Sequence, residues 1–215
     1  VGLRLVSMPN RIAAAAKQGD IEVLRSYIDS GGDVNAKYWL WHRNMKQSGS
    51  RSLLYWAVYG KSVTGARMLL KSGAKLGAET LLDNPGREAV YHDDAPTMEV
   101  LMDYGLNTND RVGGISLLDD ALKCERWSVA VAMIARMTSP DWQEIVDIVH
   151  WRDVSDERSR AVAIMINLGM SPDLVVDHDK TLLTIATQSA DSKLVEVLVV
   201  AGANPKKPNA DGSLP

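Results

Sequence analysis

Two short clusters in this sequence combine a histidine with carboxylates, side chains that bind divalent metals and transfer protons. They are His92-Asp93-Asp94 and Asp177-His178-Asp179-Lys180. A carboxylate pair, Asp119-Asp120, lies in a predicted helix, and Arg87 occupies the matching position 32 residues earlier. We interpret the first cluster as a polar turn between helices and the second as a loop. For Arg87 and Asp119 we predict an ion pair between neighbouring repeats.

Cys124 is the only cysteine, and no histidine or asparagine lies at a spacing that would make it a catalytic nucleophile. Glycine-rich phosphate-binding motifs and the H-E-x-x-H zinc motif are absent from the sequence. A single cysteine also excludes a disulfide within the chain and a multi-cysteine metal site. We therefore predict a protein that is not an enzyme and has no catalytic residues, metal site or cofactor.

The aromatic residues give a stronger signal, because six tryptophans and six tyrosines occur without a single phenylalanine. The segment Tyr38-Trp39-Leu40-Trp41-His42 is followed at once by Arg43. Trp, Tyr and Arg carry much of the binding energy at protein interfaces, since each combines a large contact area with a polar group. Two interpretations stay open: the rings bind a partner, or the segment folds back and covers the neighbouring helix.

The elements that position these residues recur about every 32 residues, which indicates a repeat protein. In each unit, a pair of apolar residues lies on one face of a predicted helix that ends in a turn. These pairs are Tyr27-Ile28, Leu69-Leu70, Leu101-Met102, Met133-Ile134, Met165-Ile166 and Leu198-Val199. A shorter helix precedes most of them, with a predicted N-cap at Asn10, Ser52, Asn84, Ser116 or Thr181. One unit cannot bury its apolar face alone, so it must stack on its neighbours.

This pattern resembles the ankyrin repeat, a helical unit of about 33 residues. The matching residues are Gly19–Leu24 with Gly31–Ala36, Leu194–Leu198 with Ala201–Asn204, and the proline of Asn84-Pro85. The resemblance covers roughly residues 10–215 and implies an all-α ankyrin-repeat solenoid of stacked helix-turn-helix units with finger loops. It implies one domain over 1–215, with an insertion at about 38–49. The expected units are roughly 10–36, 50–78, 84–110, 116–142, 147–175 and 181–207.

Two parts of the chain depart from the pattern. The fifth unit has no N-cap near Ile148, and Val149–Arg152 lies where its first helix is expected. At the C-terminal end, the helix Leu194–Val200 would leave an apolar flank uncovered, whereas a terminal repeat normally has a polar outer face. We predict that the chain's own tail, a second copy or a partner covers that flank.

Charge is distributed unevenly along the chain, although the net charge is only −3. Residues 1–75 carry +8, residues 76–160 carry −9 and the remainder carries −2. A protein with one basic and one acidic segment would orient a charged partner. Solvated helix faces also produce an uneven charge distribution of this kind. No apolar run is long enough to span a membrane. We expect a cytoplasmic protein, or a periplasmic or secreted one if a signal peptide was removed before Val1.

The resemblance also implies where a partner would bind. Ankyrin-like stacks hold their partners with the finger loops and with the exposed ends of the first helices. The candidate partner-binding residues, matched by register or chosen as exposed aromatics and their polar neighbours, are Tyr38, Trp39, Trp41, His42, Arg43, Tyr59, Tyr91, His92, Asp110, Arg111, Lys123 and Trp151.

The function that the resemblance implies is protein binding without catalysis. Because the middle third is acidic, we expect an inhibitor or immunity-type protein that neutralises a protein partner such as a basic toxin or nuclease. The alternative is an interaction domain of a larger scaffold or a host-directed effector, with self-association through the C-terminal repeat. Neither a membrane nor a nucleic acid is an expected partner, since no nucleic-acid-binding signature is present.

Replacing Trp39 and Trp41 with Ala tests the two interpretations of the aromatic segment. If the rings bind a partner, the double variant loses more than about 2 kcal/mol of binding free energy, while its thermal unfolding transition stays nearly unchanged. A large loss of thermal stability would show instead that the rings belong to the core.

Overall fold

The computed structural model describes residues 8–38, 50–76, 83–109, 111, 114–149, 154–176, 180–209 and 212–215. These described residues form twelve helices and four two-residue strands. The chain divides into two compact units, Val1–Leu117 and Leu118–Pro215. In each unit the secondary structure is almost entirely helical, as the repeat pattern predicts.

The described part of the first unit contains six helices, which form three consecutive pairs. They are α1 (Met8–Gln18), α2 (Ile21–Asp29), α3 (Leu53–Tyr59), α4 (Val63–Lys71), α5 (Pro85–Tyr91) and α6 (Ala95–Asp103). Strands β1 (Lys37–Tyr38) and β2 (Arg51–Ser52) pair antiparallel, with Lys37 opposite Ser52 and Tyr38 opposite Arg51. The two ends of the predicted insertion are therefore held together by a short ladder.

The second unit continues the same alternation of shorter and longer helices. Its helices are α7 (Leu117–Lys123), which begins at the last residue of the first unit, α8 (Trp127–Ile134), α9 (Trp142–Ile148), α10 (Asp156–Asn167), α11 (Leu182–Gln188) and α12 (Ser192–Val200). Strands β3 (Val175–Val176) and β4 (Lys180–Thr181) pair antiparallel, with Val175 opposite Thr181 and Val176 opposite Lys180.

The turns between the helices of a pair share one backbone conformation wherever the structure describes the whole turn. In five of them the residue before the second helix's N-cap has a positive φ: Gly19 (71°), Lys61 (56°), Asp93 (49°), Glu125 (56°) and Ala190 (54°). In four of these turns the N-cap side chain accepts a backbone N–H of the helix, namely in Asp20, Ser62, Asp94 and Asp191. The sequence period is thus a period of the backbone as well.

Three of the predicted first-helix N-caps are confirmed and one is wrong. The side chains of Ser52, Asn84 and Thr181 each accept the backbone N–H three residues later. Asn10 instead lies inside α1, which begins at Met8. Pro9 occupies the first turn of that helix, a position where proline's missing N–H removes no intrahelical bond.

The first helix expected near Val149–Arg152 lies earlier in the chain. Helix α9 begins at Trp142, and the Asp141 side chain caps it by accepting the Glu144 N–H at 3.1 Å. Val149 follows the helix in an extended conformation (ψ 131°). The aspartate followed three residues later by a glutamate is an N-terminal signature that the period alone did not reveal. The division into six units itself stays a prediction.

Neighbouring helix pairs stack so that their apolar faces are shared. In the first unit α1 packs on α3 and α3 on α5, while α2 packs on α4 and α4 on α6. In the second unit α8 packs on α10 and α10 on α12. Complete burial of one large aliphatic side chain stabilises by about 1.5–3 kcal/mol. Side chains with no exposed area in these interfaces include Leu24, Leu53, Leu69, Met98, Leu101, Leu194 and Leu198.

Polar groups also join neighbouring pairs. The Asp83 Oδ1 atom accepts from the Ser52 backbone N–H at 3.0 Å and from its hydroxyl at 2.9 Å. In the second unit, Arg158 Nη2 donates to Asp191 Oδ2 at 2.8 Å, and both side chains are almost completely buried. Removing one partner of such a pair leaves an uncompensated buried charge, which costs about 3–5 kcal/mol.

The C-terminal tail covers part of the last helix pair. Asn209 is buried, and its Oδ1 accepts from the Thr181 backbone N–H at 3.2 Å and from the Thr184 hydroxyl at 2.7 Å. The end of α12 is different, because Val199 is 55% exposed and Val200 is 82% exposed. The tail thus contacts α11, and self-association through the last repeat stays a prediction.

Replacing Ala190 with Gly should raise the thermal unfolding temperature. Alanine is strained at a φ of 54°, and relief of that strain outweighs the larger entropy of glycine in the unfolded chain, by about 0.5–1 kcal/mol. Ala163→Gly, in the interior of α10, is the control and should destabilise by about 1 kcal/mol. A lower unfolding temperature for Ala190→Gly would contradict the proposed turn.

Candidate protein-binding surface

The ends of three consecutive first helices form a row of side chains that contact one another. The Lys17 Nζ atom lies 4.7 Å from the centroid of the Tyr59 ring. The Tyr59 ring meets the His92 ring edge to face at 5.6 Å, and His92 meets Tyr91 in the same way at 5.2 Å. These four residues, here called the helix-end row, come from the ends of α1, α3 and α5.

The row depends on a close approach between α1 and α3. Gly60 follows α3, and a Cβ atom added there would overlap the backbone carbonyl of Lys17. On the facing side, Ala13 and Ala16 of α1 have no exposed area. Small residues on both sides let the two backbones come together, which places the Lys17 ammonium over the neighbouring ring.

A second layer of aromatic residues lies beneath the row. Tyr59 stacks on Tyr55 at 6.3 Å and meets Trp56 edge to face at 5.8 Å. Burial, followed by the nearby Glu88 carboxylate, raises the pKa of the Tyr55 hydroxyl, although Arg51 opposes the shift. The same two causes raise the pKa of Tyr59. Both phenols are therefore neutral donors at physiological pH.

Charged groups flank His92 on both sides. Its Nε2 atom lies 3.0 Å from Glu88 Oε1, one helical turn earlier, and its backbone carbonyl accepts from Lys61 Nζ at 3.1 Å. Burial lowers the pKa of the Lys17 ammonium. The row thus offers cationic, aromatic and hydrogen-bonding groups side by side, and Tyr91 at its edge is 68% exposed.

The predicted residue Tyr38 is integrated into the fold. Its hydroxyl lies 2.7 Å from that of Tyr27, and its carbonyl accepts from Trp56 Nε1 at 3.2 Å. The side chain is half-buried, so part of its ring stays accessible. Whether the aromatic segment binds a partner stays a prediction, because the rest of it, including Trp39, Trp41, His42 and Arg43, lies outside the described residues.

Four predicted residues remain. Asp110 and Trp151 also lie outside the described residues. Arg111 is exposed and donates to the Gly114 carbonyl at 3.3 Å. Lys123 is exposed at the end of α7, in the second unit. Of the twelve candidates, the structure therefore brings together Tyr59, Tyr91 and His92.

Three residues that support the row were not among the candidates. Gly60 lets its backbone approach the Lys17 carbonyl closely. Lys61 donates to the His92 carbonyl, and the Glu88 carboxylate hydrogen-bonds with the His92 ring. Glu88 and His92 are four residues apart, and this helical spacing is the one signal in the sequence that could have indicated the contact between them. The other two contacts join different helix pairs, and only the fold reveals them.

Of the two histidine-and-carboxylate clusters, the first has a structural role, whereas Asp177, His178 and Asp179 of the second lie outside the described residues. His92-Asp93-Asp94 forms the turn between α5 and α6, as predicted, and Asp94 caps α6. The ion pair predicted between Arg87 and Asp119 joins residues of different units and stays a prediction. Among the residues that the structure describes, no group of three His, Cys, Asp or Glu side chains could hold a metal ion. No helix in this part of the chain has the length and apolarity needed to cross a bilayer.

Stacked helix pairs joined by a repeated turn, with first-helix ends aligned in a row, define the ankyrin-repeat fold. Domains of this fold generally serve in protein–protein interaction and are not catalytic. The resemblance inferred from the sequence is thereby confirmed.

Known proteins support this assignment at low sequence identity. The putative ankyrin repeat protein YahD of Escherichia coli (strain K12) is 21% identical over 214 residues, which cover 94% of this chain and 100% of that protein. The human ASB11 ankyrin repeat domain has a TM-score of 0.60 and 23% identity, covering 94% of this chain and 88% of its own. The ankyrin repeat domain of Bcl-3 has a TM-score of 0.59 and 17% identity, covering 97% of this chain and 92% of its own. An ankyrin repeat domain from Acinetobacter baumannii AYE has a TM-score of 0.58 and 18% identity, covering 90% of this chain and 98% of its own. No protein-family model matches the chain.

Replacing Gly60 with Ala should destabilise the first unit by about 2–3 kcal/mol, because the added methyl group separates α1 from α3. Thermal unfolding measures the loss, and near-ultraviolet circular dichroism reports the aromatic cluster around Tyr59. Ser189→Ala is the matched control, since Ser189 follows α11 with nearly the same backbone angles (φ −85°, ψ 0°). An equal effect of both substitutions would contradict the close approach.

Proposed function

We propose that this protein is a non-catalytic binding module that captures a protein partner on the helix-end row. The observation that carries the proposal is the continuous contact of Lys17, Tyr59, His92 and Tyr91 across three neighbouring helix pairs. A partner segment lying across the pairs would meet all four side chains at once.

The chemistry of the row suits a protein ligand. Tyrosine offers a rigid ring with one polar atom, so it gains contact area while losing little conformational entropy. Tyr59 is already held by Trp56 and His92, and such preorganisation reduces the entropy lost on binding. The exposed ring of Tyr91 would then bury most of the new area.

We further propose that binding neutralises the partner, as in an inhibitor or immunity-type protein. The charge division supports a partner with a basic face, because residues 76–160 carry −9. A basic toxin or nuclease would be drawn to this acidic region at long range, and the helix-end row would add short-range contacts. The electrostatic part of the interaction would weaken with added salt.

Replacing both Tyr59 and Tyr91 with Ala tests the row. After capture of partners from the source organism and purification of the bound protein, calorimetry should show at least a thirtyfold weaker affinity, equivalent to about 2 kcal/mol. Tyr104→Ala is the control, since Tyr104 is half-buried in the same unit but follows a second helix. It should bind like the wild type.

The neutralising role requires a separate measurement. The partner's own activity should fall in proportion to the amount of wild-type protein added, and the double variant should inhibit only at much higher concentration. Unchanged affinity in the double variant would exclude the row as the binding surface. Tight binding without any loss of partner activity would exclude the inhibitor role while leaving the binding module intact.

A further inference from the structure

A groove on the first unit lies between the second helices α2 and α4, on residues that the helix-end row does not use. It has a volume of about 420 Å³ and is lined by Arg25, Ile28, Asp29, Thr64, Arg67, Met68, Lys71 and Ser72. These residues recur at offsets of three and four on α2, and at offsets of three, four, seven and eight along α4, so each set forms one helix face. The lining from Thr64 to Ser72 extends about 12 Å along α4.

The lining combines cationic walls with an apolar floor. Arg25, Arg67 and Lys71 are exposed, and Asp29 is the one acidic residue among the lining side chains. Ile28 and Met68 are half-buried between the two helices. Arg67 also lies 3.8 Å from Asp103, an exposed pair that contributes little to stability and can exchange for another carboxylate.

We propose that this groove docks an acidic amphipathic helix of a partner protein. Arginine binds carboxylates through two parallel hydrogen bonds, and methionine adapts its shape to apolar side chains that enter a groove. A helix with carboxylates along both edges and leucines between them would satisfy the three cations and cover the floor. The sign of the charge along this part of the sequence agrees, since residues 1–75 carry +8.

Two other anionic ligands fit less well. A nucleic acid would present phosphates to Asp29 and has no aliphatic side chains for Ile28 and Met68. A bilayer surface is flat, whereas Ile28 and Met68 lie between two helices. Only a protruding row of side chains can reach them there. The helix-in-groove mode supplies both the ridge and the apolar contacts.

The probe is a fluorescein-labelled peptide of about 14 residues, with leucines three and four residues apart and glutamates beside them. Fluorescence anisotropy with the full chain should show saturable binding that weakens as salt is added. Arg25→Glu with Lys71→Glu should weaken the affinity at least about tenfold. Met68→Gln should weaken it while leaving the salt dependence unchanged. Circular dichroism establishes that each variant keeps its helical content.

The charge-matched control is Arg160→Glu with Lys206→Glu, two exposed cations of the second unit, which should bind the peptide like the wild type. Equal loss in this control would reduce the effect to general charge attraction and overturn the proposal. If the wild-type protein does not bind the peptide saturably, the proposal is also overturned. Binding of phosphatidylserine vesicles through Arg25 and Lys71 in preference to the peptide would also overturn it. The Tyr59→Ala, Tyr91→Ala variant should bind the peptide normally, so failure here is distinguishable from failure of the helix-end row.

Discussion

No helix pair in this protein can bury its apolar surface without a neighbour. The first helices α3, α5, α7, α9 and α11 are seven residues long, and isolated helices of that length are unstable in water. Within each unit, stability comes from faces shared between adjacent pairs, such as α3 on α5 in the first unit and α10 on α12 in the second. The helix-end row depends on the same sharing, because its side chains belong to three different pairs. Stacking thus creates the proposed binding surface and the core together.

Two kinds of contact control how closely the pairs stack. Small residues act where backbones meet, as at Gly60 against Lys17 and at Ala16 in α1. Polar side chains act where loops meet: Asn35 donates to the Gly73 carbonyl at 3.1 Å and accepts the Lys75 N–H at 2.8 Å. The first kind sets the distance between pairs and the second sets their register. A row of contacting rings requires both to be correct.

Local signals in the sequence predicted much of the architecture. The period located the helix-end positions Tyr59 and Tyr91, and the turn at His92 followed from its polar neighbours. The prediction was wrong where a local signal competed with the period. Asn10 has the side chain of an N-cap, yet α1 begins two residues earlier at Met8, and Asp141 starts α9 ahead of the expected register. A repeat period averages over units and does not register such shifts.

Contacts between pairs could not be predicted, because they depend on which side chains meet across about 30 residues of chain. Arg158 illustrates this: an arginine in a helix is usually exposed, but here it is completely buried against Asp191. The charge division along the chain was visible in the sequence, whereas the arrangement of Arg25, Arg67 and Lys71 around one groove was not. Sequence therefore predicted the repeated helices and several of their ends, and the structure was needed for the surfaces that these helices make.

The dependence of each pair on its neighbour is tested most directly by amide hydrogen exchange after disrupting one helix. Ala16→Asp places an unpaired charge in a fully buried position of α1, at a cost of several kcal/mol. Arg11→Asp, on the exposed side of the same helix, is the control. We predict that α1 and α3 lose exchange protection together in Ala16→Asp and keep it in the control. Full wild-type protection of α3 beside an unprotected α1 would contradict it.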